Sequence, residues 1–359
     1  MKVVVINVPA LHLGFLGCYG NAWIATPTID RLAAEGVVFD QHIADVIGSR
    51  TSLTGRMLGT GKTLHEMLTA ANVPLVSVEA QESVPATLQS AAPVFKRQLR
   101  KPRWLGWINL PSLHPPWQVT TEDDSSQVAT GDDELTRPLP DPPFGPIDTS
   151  DLDLWERIRS TYANAVMDLD DALGGFLEEL GDKALDDFML ILTADRGLAL
   201  AEHGIVGDYK PWLHEEVVHV PLLVRQPGAQ DAGRRVLTLT QPVDLAATTI
   251  DLFGVGSTSL DGRSWLPLLA DQVDSIREQA LSIWTLGYES ERALRTSEWA
   301  LLRPEAETRR PPRGLQLYAK PEDRWEMNNV IQHHLDLAEE LERTIVRLLP
   351  PTAAGIFVP

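Results

Sequence analysis

Three places in the chain put reactive or polar side chains just beyond strongly apolar runs: Asp195 and Arg196 follow 188-FMLILT-193, His114 follows 104-WLGWINL-110, and Pro9 and Ala10 follow 3-VVVINV-8. A carboxylate, a guanidinium and an imidazole brought together could ligate a hard cation, grip a tetrahedral oxyanion or move a proton. A proline and an alanine can do none of these. Other strings are weaker. In 214-HEEVVH-219 the histidines are five apart, about 140° round a helix, so they do not share the face that an HExxH zinc site needs. In 59-GTGKT-63 the glycine that a phosphate-cradling loop needs six residues before Lys62 is Arg56. His12, His42, His203 and His214 could join Asp45 or Asp195 around a metal, although histidines so dispersed in sequence are more often satisfied structural residues. The single cysteine, Cys18, excludes an intrachain disulfide and a cysteine zinc site.

These residues need a scaffold that gathers strand ends. Val3 to Val8 is a continuous β-branched run stopped by Pro9, the pattern of a strand buried on both faces in a parallel sheet. Thr26-Pro27 opens a helix over 27–35 that Gly36 stops. Thr63 and Glu66 form a capping box for a helix reaching about Ala71. Strands follow at Leu75–Val78 and Trp104–Leu110. From Leu154 the spacing of Ile158, Tyr162, Val166, Leu169, Leu173 and Phe176 predicts an amphipathic helix. Phe188–Thr193 and Val220–Val224 read as buried strands and 243-VDLAATTIDLFG-254 as a helix. Short apolar segments at 280–284, 299–303 and 315–318 precede a helix from Gln332 to Leu349, a pattern that predicts a small antiparallel sheet under a terminal helix. The expected fold class is α/β: a mostly parallel sheet sandwiched by helices over 1–275, with a small C-terminal antiparallel sheet plus helix over 276–359. In such sheets ligands bind at the carboxyl ends of strands, so Pro9-Ala10, Asp195-Arg196 and His114 should face one crevice. Residues 119–152, with 122-EDDSSQ-127 and 137-RPLPDPPFGPID-148, form a Pro-rich acidic loop. Its reading is an exposed excursion, with a lid over the crevice as the alternative.

Composition bounds the partners. Of 359 residues, 50 are acidic and 31 basic, and the net charge of minus 19 opposes nonspecific contact with nucleic acid or an anionic membrane. An anionic ligand must therefore meet a local basic pocket. No apolar run reaches the length of a membrane span. Strand-like sequence begins at Lys2 with no leader before it, so the expected localisation is cytoplasmic.

Two long stretches, 3-VVVINVPALHLGFLGCYGN-21 continuing through 26-TPTIDRLAAEGVVFD-40 to 49-SRTSLTGR-56, and 188-FMLILTADRGLALAEHGIVGDYKPWLHEEVVHVPLLVRQPG-228, resemble the sulfatase family of the alkaline phosphatase superfamily. The segments 63-TLHEMLTAAN-72, 162-YANAVMDLDDALGGFLEEL-180, 243-VDLAATTIDLFG-254, 260-LDGRSWLPLL-269 and 317-LYAKPEDRWEMNN-329 follow in the same order as in that family. The resemblance implies an alkaline phosphatase-like α/β domain with a smaller C-terminal one, and hydrolysis of sulfate esters with a divalent cation and a cysteine-derived formylglycine. Residue by residue, the site departs from that pattern. Pro9 and Ala10 stand where the family has paired aspartates. Asp195 remains as a ligand, but Arg196 follows it where histidine or asparagine is usual, and a guanidinium repels a cation. The nucleophile position is Val46, or Asp45 if the register is set from Thr54-Gly55-Arg56, and neither can become a formylglycine. Ser49, Thr51 and Ser52 lie close by without a base. The family's next lysine and histidine fall at Ala80 and Glu82. The matching positions that persist are Arg50, His114, Asp195 and Lys210.

The expectation is a sulfatase-like pseudoenzyme, without metal ligands or nucleophile and with no resident cofactor. It would bind a small anion such as a sulfate or phosphate ester, through Arg50, His114, Arg196 and Lys210, or a partner protein. In the structural alternative, Asp195 neutralises Arg196 or Lys210 in a collapsed site. Two other functions stay open: an active sulfuric or phosphoric ester hydrolase with a rebuilt site using calcium or magnesium, and a structural subunit of a homo- or hetero-oligomer.

Overall fold

The computed structural model describes residues 1–48, 61–118, 137–256, 260–305 and 314–348. The first half runs β1 (Lys2–Asn7), α1 (Pro27–Ala34), β2 (Val37–His42), β3 (Val46–Ile47), α2 (Leu64–Ala70), β4 (Leu75–Val78), α3 (Val84–Gln98), β5 (Trp104–Asn109), β6 (Gly145–Pro146) and α4 (Leu152–Leu180). The second half runs α5 (Asp182–Leu185), β7 (Met189–Thr193), β8 (Ile205–Val206), α6 (Glu215–Val218), β9 (Leu222–Arg225), β10 (Arg234–Thr240), α7 (Pro242–Leu252) and α8 (Leu266–Leu269), and then β11 (Ala280–Leu286), β12 (Glu289–Arg295), β13 (Trp299–Pro304), β14 (Gln316–Ala319) and α9 (Leu335–Leu348). A seven-stranded sheet has the order β10-β2-β9-β7-β1-β5-β4. It is parallel except for β9, which runs antiparallel to both neighbours.

The apolar runs of β1, β5 and β7 follow from this placement, because helices cover both faces. Val4 and Ile6 join Ile158, Tyr162 and Val166 of α4 in one core, while Val3 and Val5 join Leu64 and Leu68 of α2 and Leu245 of α7 in the other. Each such side chain contributes about 1.5–3 kcal/mol by leaving water, so a charge at Val4 would be expected to unfold this layer. The helix α4 carries the predicted stripe, is capped by Asp151, which accepts from the Leu154 amide, and stops at Gly181 with a φ of 89°. It also caps another helix. The sequence reading gives the cap of α1 to Thr26, but that hydroxyl accepts from the Gly17 amide, and buried Asp170 of α4 accepts from the Thr28 and Ile29 amides at 2.9 and 2.8 Å.

The second sheet has the order β14-β13-β12-β11-β3. β11, β13 and β14 match the three segments predicted for a small antiparallel sheet, β12 between them was not predicted, and α9 closes one face through Leu341 and Ile345 against Leu294, Leu301 and Leu317. The fifth strand is unexpected: β3 comes from the first fifty residues and pairs in parallel with β11. Of the Pro-rich loop, residues 119–136 lie outside the described residues. The remainder is pinned down, with β6 paired to β8, the Leu139 amide on the Thr161 hydroxyl and the Trp117 amide on the Pro140 carbonyl. No helix among the described residues is long and apolar enough to cross a membrane.

Candidate functional site: the strand-end crevice

The ends of β1, β5 and β7 meet as predicted. Past β1, the Val8 amide donates to the Thr193 carbonyl at 2.9 Å, and the Pro9 carbonyl accepts from Leu113 at 2.9 Å, which ties the loop carrying His114 to residue 9. Ala10 sits in the left-handed region with a φ of 64°, a conformation in which aspartate and asparagine are enriched. Its carbonyl accepts from the Tyr162 hydroxyl at 2.8 Å, and that hydroxyl accepts from the His12 amide at 2.7 Å. The backbone is thus held firmly, while the side chains at 9 and 10 offer no donor atom.

Arg196 dominates the crevice electrostatically. Its Nε and Nη2 lie 3.1 and 3.0 Å from Asp208 Oδ2, and its Nη1 lies 3.4 Å from Asp195 Oδ2. His114 Nε2 approaches the same Asp208 oxygen at 3.9 Å, and its Nδ1 is 3.0 Å from the Pro115 carbonyl. His114 Nε2 and Oδ1 of Asp208 have no hydrogen-bond partner among the described residues. Phe144, from the pinned part of the Pro-rich loop, places its ring 5.9 Å from His114 and 6.1 Å from Tyr209. Asp195 is nearly half exposed. The surrounding protein displaces enough water to raise its carboxyl pKa above the ordinary range, against the opposing pull of Arg196. Lys210 lies with its ammonium 4.8 Å from the centre of the Trp212 ring.

The structure thus joins His114, Asp195 and Arg196 through Asp208, a residue that the sequence reading does not select. Its only sequence signal is its place in 207-GDYK-210, two residues before Lys210. The main partner of Arg196 is accordingly Asp208, with Asp195 second. Arg50, Ser49, Thr51 and Ser52 lie outside the described residues. Val46 is a partly exposed strand residue paired with Ile283. The carboxylate of Asp45 accepts from the amides of Val46 at 2.7 Å and Val243 at 3.2 Å, so it holds the start of α7 rather than pointing at a substrate. Ala80 and Glu82 are exposed beyond β4.

The histidines do not gather around one metal. His12 Nε2 faces Glu202 at 3.2 Å, His203 Nδ1 faces Glu216 at 2.9 Å, His214 Nδ1 faces Glu326 at 3.1 Å and His219 Nδ1 faces Glu215 at 2.5 Å. His42 lies 2.9 Å from the Thr240 hydroxyl, and burial pushes its pKa down to about 3. Among the described residues no group of three or more His, Cys, Asp or Glu is positioned to hold a metal ion. The donors at the crevice do not suit a hard dication, which wants several carboxylate or carbonyl oxygens: the one carboxylate of the metal-ligand pattern, Asp195, is bonded to a guanidinium. Cys18 is no nucleophile either, since burial and the neighbouring Asp30 push its thiol up to about 12.

Comparison with known proteins gives a consistent picture. Residues 81–255 match the family profile described as Sulfatase, and residues 201–349 match that of the N-sulphoglucosamine sulphohydrolase C-terminal region. The chain is 31% identical over 122 residues to N-acetylglucosamine-6-O-sulfatase of Bacteroides thetaiotaomicron, a match covering 33% of this chain and 21% of that one. It is 26% identical over 343 residues to human N-acetylgalactosamine-6-sulfatase, covering 75% and 65% respectively. Its matches thus span less than two thirds of these curated relatives. The crystal structure of the phosphonate monoester hydrolase of Agrobacterium radiobacter superposes with a TM-score of 0.73 at 16% identity, covering 97% of this chain and 95% of that one. At that identity the likeness concerns the fold.

Proposed function

Because the chain belongs to the sulfatase family of the alkaline phosphatase superfamily, we propose that it is a non-catalytic member, a scaffold that has kept the family's architecture and given up ester hydrolysis. The observation that carries this reading is Arg196. Its guanidinium lies between Asp195 and Asp208, where positive charge would oppose any dication, while Pro9 and Ala10 contribute no ligating side chain. A metal would supply Lewis-acid activation of the ester oxygen in this fold, and the donors present do not fit one. Losing a nucleophile alone costs an enzyme several orders of magnitude in rate, and catalytic residues that act as a unit do not fail additively.

The crevice is read as a recognition site for a small anion, such as a sulfate or phosphate ester, or for a partner's acidic side chain. An anion reaching Arg196 must compete with two carboxylates that already hold it, so the expected affinity of the wild-type crevice is weak. The test is elemental analysis of chelator-washed protein together with turnover of aryl sulfates and aryl phosphates. Sub-stoichiometric calcium, magnesium and zinc with turnover at the level of buffer supports the reading. A stoichiometric dication, or turnover abolished by Asp195→Asn, overturns it.

A further inference from the structure

A cavity of about 270 Å³ lies at the seam between the two sheets, beyond β9 from the crevice and sharing no residue with it. One wall is Asp40, Gln41 and Ile43 of the β2 end with Arg235 and Leu239 of β10, and the other comes from the turns that follow β12 and β14. Its size is near the lower end of small-ligand pockets, about 300 Å³.

Four basic side chains, Arg235, Arg295, Lys320 and Arg324, line it against two acidic ones, Asp40 and Glu215. Arg235 is held by Asp40, and Lys320 Nζ lies 3.1 Å from both Glu215 Oε2 and Glu326 Oε1. His219 lies beside them, its Nδ1 2.5 Å from Glu215 and its Nε2 2.7 Å from the Asp40 carbonyl. Arg295 is buried and bonds Glu326 and the Leu213 carbonyl through Nη2, whereas its Nε, 3.9 Å from Glu215, and its Nη1 have no hydrogen-bond partner among the described residues. An unmet buried donor on a charged group is costly, because it has lost water without gaining a partner. The site is therefore a cation-rich, incompletely satisfied seam in a protein of net charge minus 19. Ile43, Leu239 and the Pro321 ring add apolar surface beside these charges.

We propose that this seam is a second ligand site, taking a small organic anion whose carboxylate, sulfate or phosphate head meets Arg295, Lys320 and Arg324 and whose short apolar body lies on Ile43, Leu239 and Pro321. The inference does not rest on the crevice being inert. Arg324 is the informative side chain, because it lines the cavity with its guanidinium 4.9 Å from the Trp325 ring centre and can be reversed without removing a buried ion pair. Isothermal titration of the full chain with benzoate, phenyl phosphate and inorganic phosphate tests it, with circular dichroism to verify each variant. The expected result is saturable binding of an aromatic anion at least tenfold tighter than inorganic phosphate, weakened tenfold or more by Arg324→Glu and by the cavity-filling Leu239→Trp. The same binding should be unchanged in the crevice variant Arg196→Gln. A preference for benzoate over phenyl phosphate, or the reverse, identifies the head group. No saturable binding in wild type, or binding lost in Arg196→Gln and retained in Arg324→Glu, overturns the proposal.

Discussion

Arg196 has the strongest effect on the chemistry of the crevice, and its consequences can be measured. Its three contacts with Asp208 and Asp195 are 3.4 Å or shorter, and charge-assisted bonds of this kind contribute about 1.5–3 kcal/mol where water is partly excluded. Replacing Asp208 with asparagine keeps the shape and removes one of the two competing charges. The expected outcome for Asp208→Asn is a rise in sulfate affinity of about fivefold to tenfold, equivalent to about 1–1.4 kcal/mol, read by titration. Affinity equal to or below wild type would mean that Arg196 does not face the anion. At this scale the sequence was a good guide to identities and a poor one to partners. The crevice residues near 9, 114 and 195 could be found because they end apolar strands. Asp208 could not be, since a loop aspartate carries no periodic signal and only the turn after β8 brings it to the guanidinium.

Element by element, the strands and helices with a simple burial logic were legible. β1, β5 and β7 are apolar because both faces are covered, and α4 shows its stripe over its whole length. Of the elements that were not legible, β10, β12 and α3 each have a physical reason. The β10 segment 234-RRVLTLT-240 sits at the sheet edge with Leu237 two-thirds exposed, which blurs its pattern. The strand β12 reads 289-ESERALR-295, yet Glu291 and Arg295 are buried there, Arg295 in an ion pair with Glu326 and Glu291 accepting from the Leu213 amide. The helix α3 contains Pro93 and begins with Pro85 near its N-terminus. The antiparallel direction of β9 is invisible in a run of apolar residues. The cap of α1 is a contact distant in sequence, and it makes a prediction. Asp170→Ala should lower unfolding free energy by about 1–2 kcal/mol, the range for losing a helix cap, as measured by urea denaturation. A change below about 0.3 kcal/mol would show that water replaces the carboxylate at no cost.

For the whole molecule, the buried ionic groups that join the large sheet to the small one set the limits of stability in pH. Burial opposes charge on His203, but Glu216 and Glu326 outweigh it and lift its pKa to about 9 from 6.5. A raised histidine stabilises fully below 6.5 and loses that contribution as pH rises through 9. His42 behaves oppositely, because burial lowers it to about 3 and its stabilisation is lost as pH falls from 6.5 toward that value. Burial would raise Glu215, yet His219 and Lys320 hold it down to about 2 from 4.5, so its contribution also fades in acid, below 4.5. Thermal stability should therefore peak near pH 6.5 and fall on both sides. His203→Gln should flatten the alkaline limb selectively. A midpoint temperature still climbing between pH 7 and 9 would contradict this assignment.

The pairing of β3 with β11 has a consequence for biosynthesis. The Val46 and Ile47 segment leaves the ribosome more than two hundred residues before Ile283 and Trp284, its partners, and in the finished protein the Ser282 hydroxyl and Ile283 amide also reach back to the Ala44 and Asp45 carbonyls. The small sheet is thus finished by a strand that waits through most of translation, and closing so long a loop slows productive assembly. A fragment made from residues 276–359 alone should expose the β11 edge and the Trp284 ring, and aggregate where the intact chain does not. Supplying residues 1–275 in trans during synthesis should rescue its solubility, which co-expression and size-exclusion chromatography would reveal.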